Sequence, residues 1–165
     1  MLMNYVESLE NKLQLIRNQF ESMLGKPITG YELAELWCEE EKEWSEWMDI
    51  PLFLSSGEEV ISISWQKFNE LAIEKGRTLP FSLSGSTVRW LSEGVSNVEP
   101  AIGKIISSIS IGRGEMSVED REIEIWTRLL IGFDGGEVLE VFNALDESGI
   151  VFHTNPVSGE TIKCI

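Results

Sequence analysis

The stretch that most constrains the fold is Ile123 to Asn143, IEIWTRLLIGFDGGEVLEVFN. Ile123, Ile125, Leu129, Ile131 and Phe133 fall on one face of a two-residue repeat, and Glu122, Glu124 and Arg128 fall on the other. Asp134-Gly135-Gly136 interrupts the run, after which Leu139 and Val141 resume the alternation. Apolar alternation on both sides of an Asp-Gly-Gly turn predicts a β-hairpin. A hairpin is a scaffold and carries no chemistry of its own.

A second pattern opens the chain. Leu2, Val6, Leu9, Leu13, Ile16, Phe20 and Met23 recur at spacings of four and three with polar residues between, which predicts an amphipathic helix over residues 1–25. Gly25 and Pro27 stop it. The narrow stripe suits packing on a sheet of the same domain; the alternative is a homodimer seam.

Between these landmarks, residues 28–76 read as a first β-meander. Strands are expected at Tyr31–Trp37 and Trp47–Leu54, joined by an exposed acidic connection, with Pro51 pushing the second toward an edge. After the Ser55-Ser56-Gly57-Glu58 turn, Ile61, Ile63 and Trp65 alternate with Ser62 and Ser64, a strand with a polar outer face. Phe68, Leu71 and Ala72 suggest a short helix ending at Gly76. Residues 77–102, with a serine- and glycine-rich stretch at Ser82–Ser86, form a connection that packs in part through Val88, Trp90 and Leu91. Residues 103–165 read as a second meander. It begins with Ile105, Ile109 and Ile111 on one face and passes a polar loop at Arg113–Glu119. Hairpins follow at 123–143 and at Ile150–Ile165, the latter closing the sheet. The segments LFLSSGEEVISISW (52–65) and LLIGFDGGEVLEVF (129–142) share a strand, glycine turn, Glu-Val, strand order. Phe68-Asn69-Glu70-Leu71 and Phe142-Asn143-Ala144-Leu145 follow them, a hint of internal duplication.

The expected fold is thus a single α+β domain over residues 1–165. An N-terminal helix packs on a mainly antiparallel sheet of six to eight strands, arranged as two related meanders. The length fits one core.

Charge narrows the function. Twenty-eight acidic residues against thirteen Lys and Arg leave a net charge of −15. A field of that sign repels nucleic acid and anionic lipid, and the bases are scattered, with only Lys75 and Arg77 close together. No apolar run approaches the roughly 20 residues that span a bilayer. The first ten residues are polar and acidic rather than a basic segment before an apolar block, so a cytoplasmic location is expected. Cys38 and Cys164 have no metal-type spacing and read as free thiols.

Catalytic signatures are missing from the sequence. His153 is the single histidine, no Gly-x-Ser-x-Gly occurs, and Gly112-Arg113-Gly114 lacks a third glycine and a following helix. No metal or cofactor is expected. A carboxylate-based enzyme using Glu39, Glu43, Glu122 and Glu124 is an alternative, weakened because chance pairs are common among so many acids.

What stands out is the acidic segment. Glu39, Glu40, Glu41, Glu43 and Glu46, with Trp44 and Trp47 set among them, compose a candidate partner-binding surface. Carboxylates steer a basic protein partner inward, and exposed indoles anchor it. In general character the chain resembles bacterial immunity proteins, which neutralise a toxin by covering its active site. That likeness implies a non-enzymatic inhibitor of a basic protein and transfers no residue. The alternative is a homodimeric structural protein joined through the N-terminal helix.

Overall fold

The computed structural model describes residues 3–46, 50–118, 121–144 and 148–165, with the side chains of residues 46, 115–118 and 121–124 outside the description. Leu2, Trp47, Glu119 and Leu145 of the expectations above therefore lie outside the described residues. The N-terminal helix, α1, spans Leu9–Phe20 and continues as a 3-10 turn over Glu21–Met23. It is shorter than 1–25 because Ser8 caps it: the Ser8 hydroxyl accepts from the Asn11 N–H, and the Ser8 backbone is itself extended. Val6, assigned by spacing to the helix, instead exchanges two backbone hydrogen bonds with Leu71 (2.8 and 3.0 Å). The rest of the stripe is spent inside the chain, since Ile16, Phe20 and Met23 have no exposed surface and Leu9 and Leu13 pack beside them.

The strands form two antiparallel sheets instead of one. The first comprises β1 (Gly30–Cys38), β2 (Glu43–Glu46), β3 (Leu52–Ser56), β4 (Glu59–Gln66), β5 (Glu70–Lys75) and β6 (Val88–Leu91). Its order is β2-β1-β3-β4-β5. β1 pairs with β3 over Gly30–Glu32 and with β6 over Leu33–Leu36, so the sheet forks along β1. The helix expected before Gly76 is strand β5, paired to β4 from Glu70 to Lys75. Leu71 and Ile73 alternate with Ala72 and Glu74 there, and the open edge of β4 decides a short apolar run that periodicity leaves ambiguous. Ser62 and Ser64 do lie opposite Ile61, Ile63 and Trp65, but their face is not solvated. Tyr5 covers Ser64 (Oη–Oγ 2.8 Å), while the Ser62 hydroxyl donates to the Gly76 carbonyl and accepts from the Thr78 N–H.

The second sheet comprises β7 (Ile106–Val118), β8 (Arg121–Phe133), β9 (Val138–Asn143), β10 (Ser148–His153) and β11 (Thr161–Lys163), in the order β10-β9-β8-β7-β11. The β8–β9 turn is the one read from Asp134-Gly135-Gly136. The Gly136 N–H donates to the Phe133 carbonyl (2.9 Å), and Gly136 adopts φ +91°, the left-handed conformation that glycine supplies at low cost. Two bulges change the phase of the alternation. One extra residue at Ser107 turns Ile106 inward and leaves Ile105 exposed. One at Thr127 brings Trp126, rather than Ile125, against the core. The polar loop expected at Arg113–Glu119 is a continuation of β7, paired as far as Val118 with Arg121. The closing hairpin is also absent. β10 pairs with β9 at one edge and β11 with β7 at the other, so residues 154–160 cross the sheet's outer face.

The two sheets face each other because each meander has one apolar face to bury. Ile61, Ile63, Leu71 and Ile73 from the first meet Ile109, Ile111, Leu129, Ile131, Leu139 and Val141 from the second, with α1 closing one side. Trp65 stitches them together: its indole N–H donates to the Val141 carbonyl (2.8 Å), and its backbone N–H donates to Ser148 Oγ (3.1 Å). Each sheet contains one four-strand meander, β1-β3-β4-β5 and β7-β8-β9-β10. The Phe-Asn tetrapeptides fall at unlike places, however: Phe68-Asn69 lies in the turn before β5, and Phe142-Asn143 ends β9.

Candidate partner-binding site

The acidic segment is not a loose connection. β1 runs on past the rest of its sheet and folds back as a hairpin with β2, in register Leu36 with Ser45, Trp37 with Trp44 and Cys38 with Glu43. The strand expected at Trp47–Leu54 is β3, which begins at Leu52, just past Pro51, and lies between β1 and β4 rather than at an edge. β2 is an additional strand in the segment read as a connection, formed because β1 offers it a ladder. Glu39-Glu40-Glu41-Lys42 forms the tip, where Lys42 takes a left-handed φ of 55°. Glu39, Glu40, Glu41 and Glu43 are all exposed. Glu39 pairs with Lys42, whose hydrogen bond, followed by one from Trp37, holds its carboxyl below the usual range. Glu46 lies opposite Glu35 in the register, its side chain outside the description.

Trp44 is partnered within the chain. Its ring meets Trp37 edge-on at a centroid distance of 5.4 Å, and the Arg89 guanidinium from β6 lies 4.5 Å from its centroid. One Arg89 nitrogen (Nη2) reaches both oxygens of Glu35 at 3.2 Å. The structure thus brings together Glu39, Glu40, Glu41, Glu43 and Trp44 on one hairpin. It adds Glu35, Trp37 and Arg89, which sequence reasoning missed. The β1 residues were within reach, lying two apart on one strand face; Arg89 is far away in sequence and needs the β1–β6 pairing.

Beside this hairpin, at the fork of β1, lies a cleft with about 570 Å³ of empty space, part of it open solvent. Leu33, Glu35, Ile50, Leu91 and Ile150 help to line it. The other carboxylates proposed for hydrolysis, Glu122 and Glu124, are in β8 of the second sheet, with side chains outside the description.

Two polar clusters also escaped the sequence. Lys12 is fully buried, donating to Asn69 Oδ1 and to the Trp126 carbonyl (2.9 Å) and lying 5.4 Å from the Trp65 ring centroid. Burial lowers its pKa to about 8 against the opposing field of Glu7. Its position, three after Leu9 and four before Ile16, was the available signal. On the outer face of the second sheet, Glu140 accepts from Arg128 Nε (2.7 Å) and Nη2 (3.0 Å) and lies 2.7 Å from His153 Nε2. Burial pushes the Glu140 carboxyl up, but these two partners more than offset it and leave the pKa lowered. An ionised carboxylate only accepts, so Nε2 carries the proton of that pair. Arg128 Nη1 also donates to the Ser158 carbonyl (2.8 Å) in the crossing segment, so this cluster clamps the chain.

Among the described residues, no three His, Cys, Asp or Glu side chains group as metal ligands, and no helix is long and apolar enough to cross a membrane. Comparisons with protein-family models, curated proteins and solved structures found no match to the chain.

Proposed function

We propose that the chain is a non-enzymatic, acidic protein-interaction module that captures a basic protein partner with its β1–β2 hairpin, in the manner of an immunity-type inhibitor. The observation that carries this reading is the exposure of Glu39, Glu40, Glu41 and Glu43 on one hairpin, whose tip residues 39–43 include one base, Lys42. In a chain of net charge −15, that tip concentrates a field already negative overall. A cationic partner is steered toward it, chiefly through a faster on-rate. Trp44, held between Trp37 and Arg89, adds a preformed aromatic surface at little entropic cost. A homodimer seam along α1 has less in its favour, because the stripe that would form it is buried in its own core.

The test is a pull-down from the source organism's lysate at low and high salt. The native chain is compared with one carrying Gln at positions 39, 40, 41 and 43, and with a control carrying Gln at the exposed Glu10, Glu21, Glu58 and Glu93. Both variants remove four charges. Basic proteins retained at low salt by the native and control chains, and lost from the hairpin variant, support local capture. Equal loss from both variants would leave only a non-specific field, and the reading would fall.

A further inference from the structure

We propose that the Glu35–Trp37–Trp44 face of the hairpin is a guanidinium receptor, occupied in the free protein by the chain's own Arg89, which an arginine of the partner displaces. This inference rests on the capture reading above and names the side chain that the hairpin selects.

The geometry has the three parts that arginine recognition needs. The Glu35 carboxylate is a strong acceptor and is well shielded, its side chain only 13% exposed. The Trp44 face lies 4.5 Å from the guanidinium carbon, and Trp37 stands edge-on against Trp44, fixing the ring's plane. A planar guanidinium satisfies a carboxylate and a ring face together. An ammonium, a compact and strongly hydrated charge, does so less well. The Arg89 guanidinium is accessible to a competitor, its side chain 46% exposed, while its backbone is anchored opposite Glu35 by the β1–β6 pairing. The pair is open to solvent on the Arg89 side, and exchanging one guanidinium for another keeps the Glu35 charge paired, so the exchange costs little. The exposed Glu39, Glu40, Glu41 and Glu43 nearby raise the local concentration of any cationic segment. Glu35 also lines the apolar cleft at the fork, which gives a residue flanking the incoming arginine a floor to rest on.

A self-occupied receptor binds with its intrinsic affinity reduced by the fraction of time it stands open. Removing the occupant therefore tightens binding of arginine selectively, whereas losing one positive charge would favour all cations alike. The experiment is calorimetric titration of the full chain with a hexa-arginine peptide and, separately, a hexa-lysine peptide of the same charge. For a receptor that is open about a tenth of the time, Arg89→Ala gains about tenfold for the arginine peptide. The lysine peptide changes far less. Glu35→Gln placed on that background should abolish the gain. Arg89→Lys, which keeps the charge and the aliphatic stem, serves if the alanine variant loosens β6. It should give a smaller selective gain in the same direction, because ammonium competes poorly for the ring.

Equal gains for both peptides, or no gain for arginine, overturn the receptor. If both peptides then still bind the native chain in a salt-dependent way, the capture reading survives without it. If neither peptide binds any form of the chain, the receptor and the capture reading fall together.

Discussion

Lys12 carries the sharpest consequence at the level of a single residue. Among the described residues no carboxylate forms a salt bridge with its ammonium; a side-chain amide, a carbonyl and an indole face lie against it instead. The folded chain gives up this proton near pH 8, whereas an ordinary lysine holds it to 10.5. Between those values the folded state binds fewer protons than the unfolded one, so Lys12 makes stability rise with pH. Cys164 and Tyr31 act in the opposite sense at higher pH. Burial raises the thiol from 9.0 to about 11; burial together with the hydrogen bond to Glu99 raises the phenol from 10.0 to about 12. Each of these keeps its proton longer when folded and costs stability above its unfolded value. The clean window is therefore pH 8 to 9, where the urea midpoint of the native chain should climb and that of Lys12→Met should stay flat. A second single-residue test concerns Gly149, where an added Cβ would fall 2.3 Å from the Phe142 ring. Gly149→Ala is expected to cost about 1–3 kcal/mol. Phe142→Leu in the same chain should recover part of that loss, a coupling that a thermal double-mutant cycle reads directly.

At the level of elements, the crossing segment 154–160 depends on the clamp beneath it. Arg128 (β8), Glu140 (β9) and His153 (β10) are diagonal neighbours across three strands, and the remaining arm of Arg128 holds the Ser158 carbonyl. Glu140→Gln leaves the guanidinium without its counter-charge and should cost about 3 kcal/mol in chemical unfolding. It should also flatten the acid limb. The lowered Glu140 pKa supplies stability that is present above the ordinary glutamate range and is lost as pH falls through the folded value. The same element shows where sequence reading succeeds and where it stops. The Asp134-Gly135-Gly136 turn was legible because its chemistry is local. The bulges at Ser107 and Thr127 were not, because they are properties of a register between two strands, and each reverses the faces of every residue on one side of it. The placement of β11 was hidden for a related reason: Thr161–Lys163 could pair with whichever edge was open, and only the assembled sheet shows that edge to be β7. The site followed the same division. Exposed acids at 39–43 could be read from composition, whereas the fate of Trp44 hung on Arg89, a partner brought in by the β1–β6 pairing.

For the whole molecule the dominant quantity is the net charge of −15 held on a body with one continuous core. Folding concentrates those charges, so self-repulsion weighs more on the compact state than on the expanded chain. Surface pairs such as Lys67–Glu70 and Arg77–Glu32 work the other way, but exposed pairs contribute little each and are themselves weakened by salt. Repulsion should prevail. Raising sodium chloride from about 20 mM to about 0.5 M shortens the screening length from roughly 20 Å to a few ångströms, and the urea midpoint should rise as it does. The hairpin tip sets four exposed carboxylates within five residues, so replacing Glu39, Glu40, Glu41 and Glu43 with Gln should raise the low-salt midpoint and reduce its salt dependence. A native midpoint that falls with salt would mean that the ion pairs outweigh the net field. Stability would then give no sign of the strong field on which electrostatic capture of a basic partner depends.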